Sequence, residues 1–469
     1  MSKPHVVVLG GGPAGCGAAY QLRRKGVARV TLIERSERVG GNAGSFEVGN
    51  QFLDFGSHRL HSACDPEILR DIQRMLGDDL AHRSRNGRIR LRGTWLRFPL
   101  KMTDLMLRLD PKFAFGVLGN MIARTLFGKA DEGNSFASVL KASLGNTICE
   151  HFYFPYARKL WGYEPEELSS IQAHKRVSAG SVLKILKRII KPPGDGKFFY
   201  PRKGYGQITE AYAAEGKKLG ADFMMGWAAN KITRSGNGSD GFCIELINRE
   251  GEIRKVGADH IWSTIPVTVL CRMMSPEPPV DVIQSSGNIT YRSMILIYLT
   301  FPVDQYTSTD AHYFPEAHIR MTRMSEPKNY FGVAEPKGMT TLCAELPCQY
   351  GDDIWKMSDD DLGKLMMEDL EAAGLPRHEP VSVFTRRLHQ AYPIYTMGYE
   401  HDLKTMDSWV ESIPDLLVYG RQGLFAHDNT HHALFMAYSA ADCLEKDGSF
   451  NLDRWAEYRK VFATHVVED

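Results

Sequence analysis

Long apolar runs are absent. No stretch of about 20 uninterrupted apolar residues occurs among the 469 residues, so no membrane-spanning helix is expected. Net charge is nearly absent too. Lysine and arginine number 57 against 56 aspartate and glutamate, a formal +1, which gives no bulk electrostatic ground for a nucleic-acid or anionic-membrane partner. The eight cysteines are scattered, with no CxxC pair and no Cys/His ligand spacing. That pattern argues against a structural zinc site and for buried free thiols in a reducing cytoplasm. The chain enters its first apolar run at His5, so no signal peptide is expected. Internal repeats and low-complexity tracts are also missing.

What remains is an ordinary globular composition, 43% apolar and 24% charged, in a chain long enough for two or three domains. Two segments invite a membrane-surface reading. Phe113 to Phe127 is apolar but broken by Asn120 and Arg124; Ser181 to Lys191 is a basic amphipathic helix whose apolar stripe suits a protein core equally well. Residues 66 to 190 read as mostly helical, and the run Lys191-Pro-Pro-Gly-Asp-Gly breaks the chain. Strand-like segments then dominate: Phe242 to Asn248, His260 to Ser263, Ile289 to Phe301, Thr340 to Leu346 and Ser382 to Leu388. The chain closes with a strand at Leu416 to Tyr419, a glycine-containing loop and a helix from Ala433.

The richest signal lies in the first 45 residues. His5 to Leu9 is a β-branched run leading into Gly10-Gly11-Gly12-Pro13-Ala14-Gly15, then a helical stretch, then a second apolar run, Val30 to Ile33, ending in Glu34. Gly10 permits a tight turn, Gly12 lets backbone approach a pyrophosphate, and Gly15 allows close helix–strand packing. The helix start offers unpaired N–H groups to phosphates. Glu34, 19 residues after Gly15, stands where a carboxylate can accept both hydroxyls of an adenine ribose. The following Arg35 and the Gly40-Gly41-Asn42-Ala43-Gly44 stretch favour FAD over NAD, because similar loops in amine-oxidase-superfamily flavoproteins pass backbone along the cofactor's arm.

Further motifs extend the likeness. Asp54-Phe55-Gly56-Ser57-His58, Phe154-Pro155-Tyr156 through Lys159-Leu160-Trp161 to Arg176, Tyr200-Pro201-Arg202-Lys203-Gly204-Tyr205-Gly206, Ser263-Thr264-Ile265-Pro266, Arg387-Leu388 with Tyr392-Pro393, and Gly420-Arg421-Gln422-Gly423 follow one another in order. In that order the chain resembles UDP-galactopyranose mutases, especially the eukaryotic type, within the wider protoporphyrinogen oxidase and amine oxidase superfamily. The resemblance implies an α/β fold. A Rossmann-like FAD-binding domain is expected from residues 1–90, 200–270 and 385–469, with a mainly helical cap at 91–199 and a β-rich substrate domain at 271–384. Ser57, His58, Arg421 and Gly423 would lie beside the flavin.

The same resemblance implies a nucleotide-diphosphate sugar as substrate and reduced flavin N5 as nucleophile at the anomeric carbon. Arg176 and Arg320 would hold the diphosphate, because a guanidinium fork binds phosphate oxygens bidentately. Tyr392 matches a phosphate-contacting tyrosine of the family. Pro327 and His427 stand where the family has two others, which puts UDP-galactose itself in doubt. His58, His427 and Tyr392 are candidates for exchanging a proton. The alternative is an oxidase removing hydride from an amine, a ring or an isoprenoid; a non-catalytic flavin scaffold is a third reading. No separate NAD(P)H motif is visible, so NAD(P)H enters only as an external reductant. The His431-His432 pair has no third ligand nearby in sequence and reads as helix capping by Asn429 or Thr430, with no metal expected.

Overall fold

Val6, Val7 and Val8 are fully buried and Leu9 nearly so, which places strand β1 (His5–Leu9) inside a sheet covered on both faces. In the computed structural model, which describes residues 3–98, 104, 108–127, 133–176, 196–234, 241–332 and 336–467, this sheet has five strands, all parallel. β1 lies between β2 (Arg29–Glu34) and the strand His260–Ser263. Asp222–Met225 and Leu416–Val418 form the edges, so the sheet gathers segments more than 400 residues apart.

Helix α1 (Pro13–Lys25) follows β1 directly. Proline occupies its first turn, where a missing N–H costs nothing, and Arg23, Arg24 and Lys25 complement the dipole in its last turn. Gly26, in the left-handed region, ends it. α1 packs on the helices Gln207–Lys218 and Thr430–Cys443. The approach is close because the facing residues are small: a Cβ on Gly17 would lie 3.1 Å from that of Ala437.

A seven-stranded sheet forms the second body. Its order is Ser382–Pro393, Tyr291–Phe301, Thr340–Cys348, Arg323–Ser325, Ala311–Tyr313, Gly87–Leu91 and Thr94–Phe98. The strand Tyr291–Phe301 is buried along almost its whole length, as suits its central position. A four-stranded sheet contains a hairpin, Phe242–Ile247 against Ile253–Ala258, the first strand at the place the sequence indicated.

Two expectations need correcting. The stretch 66 to 190 is not uniformly helical: Leu80–Ser84, Gly87–Leu91 and Thr94–Phe98 are strands, the last two joined by a turn in which Arg92 and Gly93 have positive φ. That hairpin pairs with Ala311–Tyr313, so a division at residue 90 cuts through it, and a division at 385 cuts the strand Ser382–Pro393. The reason is that a parallel pairing with a segment over 200 residues away leaves no local mark. The helices Pro66–Leu76, Phe136–Leu144 and Phe154–Trp161 form as expected, the first capped by Asp65, which accepts from the N–H groups of Glu67 and Ile68. Ser181 to Lys191 lies outside the described residues, as do the side chains of 118, 121–127 and 176. Among the described residues no helix is long and apolar enough to cross a membrane. All eight cysteines are free thiols.

Candidate active site

A cavity of about 1040 Å³ opens at the carboxyl end of β1. The glycines of the first turn divide the labour around it. Gly10 has φ of +103°, and a Cβ there would lie 2.5 Å from Thr264 Oγ1. Gly15 is crowded, with its Cβ position 1.9 Å from the Gly10 carbonyl oxygen, so it serves packing and is not on the cavity wall. Gly12 has no atom within 4 Å of its Cβ position. It lines the cavity with Pro13 and Ala14 at the amino end of a 13-residue helix, which is the cradle a pyrophosphate requires. Glu34 Oε2 accepts from the Gly11 N–H at 2.6 Å and Oε1 from the Ser36 N–H at 2.9 Å. Arg35, Gly40, Gly41 and Asn42 continue the wall.

Farther along, the loop after Gln51–Asp54 carries Ser57 and His58 to the wall. The loop is anchored beneath. Asp54 is buried and accepts from Ser45 Oγ at 2.5 Å, Tyr200 Oη at 2.6 Å and the Tyr205 N–H at 2.8 Å; burial pushes its carboxyl up to about 6. Ser57 Oγ meets the Tyr330 hydroxyl. His58 lies roughly parallel to the Tyr205 ring, with centroids 5.3 Å apart. Burial, followed by the charge of Arg323, pushes its imidazole down to about 4, so His58 is neutral at pH 7.

The other candidates scatter. Tyr392 lines the cavity, stacked beneath the Arg421 guanidinium at 5.1 Å, and Arg421 donates to the Ala391 carbonyl at 2.9 Å. His427 is 1% exposed and stands one layer back, edge-on to Trp161 at 5.1 Å and 3.2 Å from Gln172 Nε2. Gly423 packs against Val418 and Ser263 and does not reach the wall. Arg176 ends the helix Ser170–Arg176, and its side chain is outside the described residues.

Arg320 is turned away from the cavity. It pairs with Glu368 at 2.8 Å and Asp369 at 3.4 Å on the helix Asp359–Ala372. Three residues on, Arg323 does reach the wall, and its guanidinium forks onto Glu345 with two contacts of 2.9 Å. Glu345 also accepts from the Ser57 N–H at 2.8 Å, which ties this pair to the loop. Arg59, Arg85 and Arg387 line the cavity as well. Sequence reasoning named Arg387 as part of a motif and passed over Arg59, Arg85 and Arg323. Arg59 alone carried a usable signal, since it adjoins Ser57-His58.

The family model described as "Flavin containing amine oxidoreductase" matches residues 13–435. The chain belongs to the flavin-containing amine oxidoreductase family. It is 20% identical to the coproporphyrinogen III oxidase of Bacillus subtilis (strain 168) over 441 residues, covering 86% of this chain and 90% of that protein. In fold it is similar to reduced UDP-galactopyranose mutase, with a TM-score of 0.81, 21% identity, and 99% and 100% of the two chains covered. It is also similar to a protein designated a protoporphyrinogen oxidase, from Exiguobacterium sp. 255-15, at TM-score 0.72 and 19% identity over 94% and 98%.

This amine oxidoreductase is therefore an FAD-dependent enzyme. The residues present fit the cofactor: the open cradle at Gly12 would take its pyrophosphate, and Glu34 with Arg35 would hold its adenosine end. Ser57, His58 and Arg421 line the same cavity and would border the cofactor's ring.

Proposed function

We propose that this oxidoreductase acts on an anionic small molecule, and that the anion is a nucleoside diphosphate carrying a sugar. One observation carries the reading. Among the described residues the cavity wall holds six arginines (35, 59, 85, 323, 387 and 421) against three carboxylates (Glu34, Glu345 and Asp428). The cofactor's own diphosphate would sit at the helix start near Gly12. Beyond it Arg323 and Arg387 pair with Glu345 and Asp359, and Arg59 lies 3.7 Å from Asp310, which leaves the wall around Arg421 and Tyr392 as the place where a second anion would be met. Bound FAD supplies a ring that takes up and returns electrons and is nucleophilic at N5 when reduced. The protein's part is to bind phosphate oxygens with Arg59, Arg421 and Tyr392, to keep His58 uncharged beside the ring, and to exclude water with Trp161 and Leu160. The likeness to the mutase fold over nearly the whole chain supports this reading.

A second reading has its own support. Arg320 faces helix Asp359–Ala372 and His427 stands behind the wall, so two residues expected at a diphosphate are displaced from it. Phe136, Phe152, Tyr153, Tyr156 and Trp161 give the wall a broad aromatic face. That suits oxidation of a large ring such as a porphyrinogen, and the Bacillus relative is named a coproporphyrinogen III oxidase. An ammonium substrate is disfavoured in either case, because it would enter a field of guanidinium groups.

Flavin difference spectra of oxidised and dithionite-reduced enzyme distinguish the readings. Saturable binding of UDP or a UDP-sugar, tighter on reduction and weakened at least about tenfold by Arg421→Met, is expected. Turnover of a porphyrinogen with no diphosphate binding would transfer the assignment to the second reading. Bleaching by a polyamine alone would sink both.

A further inference from the structure

Where Asp428 meets the cavity wall lies a cluster that the flavin chemistry does not use. Asp428 is 4% exposed, His432 is in the first turn of the helix Thr430–Cys443, and His465 follows the helix Leu452–Ala463. His432 Nδ1 and His465 Nδ1 each lie 3.3 Å from Asp428 Oδ1, and the three atoms all fall within 4.8 Å of one another. The two imidazoles are nearly parallel, 13° apart with centroids at 4.1 Å.

Ordinary hydrogen bonding leaves this arrangement unsatisfied. Both Asp428 carboxylate oxygens are buried without a hydrogen-bond partner, and so is His465 Nδ1. The Asn429 N–H donates to His432 Nδ1 at 3.2 Å, so that nitrogen presents a lone pair and carries no proton. A lone pair facing a carboxylate oxygen at 3.3 Å is repulsive unless a cation lies between them. Lys175, the neighbouring cation, spends its donors on the carbonyls of Ala463 at 2.7 Å and His465 at 2.9 Å. Arg421 reaches only the Asp428 backbone carbonyl, at 3.4 Å.

We propose that Asp428, His432 and His465 bind one divalent first-row transition ion, with the two Nδ1 atoms and a carboxylate oxygen as ligands. The two nitrogen–oxygen separations support it, and on binding the stacked rings would turn so that each ring plane contains the ion. Bonds of about 2.0–2.1 Å in a tetrahedron put ligand atoms about 3.3–3.4 Å apart, which is the separation of both nitrogens from Oδ1. Two imidazoles and a carboxylate suit Zn²⁺, Co²⁺ or Fe²⁺ and not Ca²⁺ or Mg²⁺. On loading, His432 exchanges the Asn429 N–H for the metal. The ion then ties the segment bearing His465 to the start of the helix Thr430–Cys443. Val467, two residues beyond His465, is on the cavity wall, so the ion would brace one side of the cavity without touching the reacting atoms. Asp428 stands four residues before His432, a spacing the sequence shows; His465, 33 residues on, is the partner that only the fold brings in.

The test uses FAD-loaded protein stripped with a chelator and dialysed against Zn²⁺ or Co²⁺. One ion retained per chain by mass spectrometry is expected, with a Co²⁺ ligand-field spectrum of low coordination number. His432→Gln and His465→Gln, each verified as folded by flavin absorbance, should each weaken retention at least about tenfold. No stoichiometric ion in the wild-type protein would overturn the proposal whatever the variants do. Equal retention by wild type and both variants would place the ion elsewhere and overturn it too.

Discussion

Gly12 and Gly15 are three residues apart, yet substitution at each should fail for a different reason. A methyl group at position 15 would fall 1.9 Å from the Gly10 carbonyl oxygen, so the backbone must move and overpacking costs roughly 1–3 kcal/mol. A methyl group at position 12 meets no protein atom within 4 Å. Gly15→Ala is expected to lower the Tm of the apoprotein. Gly12→Ala should leave that Tm unchanged and weaken only FAD uptake, read by flavin absorbance per chain. Equal thermal losses in both apoproteins would refute the division of roles.

Acid sensitivity also belongs to single residues. Burial, with Arg323, pushes His58 down to about 4; burial, with Arg88, pushes His312 down to about 3. Between pH 6.5 and these values the unfolded chain takes up protons that the folded chain refuses, so both groups stabilise the fold above pH 6.5 and lose that effect as pH falls. Asp54 works the other way. With its carboxyl raised to about 6, the folded chain holds a proton between pH 6 and 3.8 that the unfolded chain releases, a contribution lost as pH rises. Two opposing histidines outweigh one aspartate. The Tm of the apoprotein should fall from pH 6.5 to 4, and a His58→Gln/His312→Gln variant should show a shallower fall.

At the scale of elements, the strand Arg323–Ser325 is held to Thr340–Cys348 and to the flavin loop through one carboxylate. Glu345 is 3% exposed as a residue, and removing its guanidinium partner leaves a buried charge with the Ser57 N–H as its remaining hydrogen bond donor in that network. Arg323→Met should therefore cost roughly 3–5 kcal/mol and disturb FAD binding through Ser57. Arg320→Met removes a partly exposed pair, while Asp369 keeps the N–H groups of Arg320 and Met321 at 2.7 and 3.0 Å. It should cost about 1 kcal/mol or less, with activity intact, in urea melts and steady-state assays. Loss of activity in Arg320→Met with Arg323→Met unaffected would restore the residue that sequence spacing favoured.

Taken whole, the molecule surrounds its cavity with residues from Leu9 to Val467. A ligand bound only by the folded state stabilises by about 4 kcal/mol at a thousandfold excess over its Kd. Because both large sheets and the C-terminal segment contribute to the wall, FAD should raise a single calorimetric transition. A second transition that stays put on FAD addition would mean that one body folds independently of the cofactor.

Residues 5 to 45 determined the cofactor by themselves. Strand, glycine turn, helix, second strand and terminal acid are contiguous, and their geometry follows from backbone sterics and periodicity that any short window displays. The strand Phe242–Ile247 was legible for the same reason. Only the tertiary structure decided which arginine faces the cavity. Arg323 opens the strand Arg323–Ser325, whose facing is set by its pairing with Thr340–Cys348, whereas Arg320 lies in the irregular segment before it and is held to Asp369 on the helix Asp359–Ala372. The parallel pairing of Gly87–Leu91 with Ala311–Tyr313, and the approach of His465 to the Asp428–His432 pair, were likewise invisible in one dimension. Contacts between distant segments are set by the packing of whole sheets and helices, and no local pattern records them.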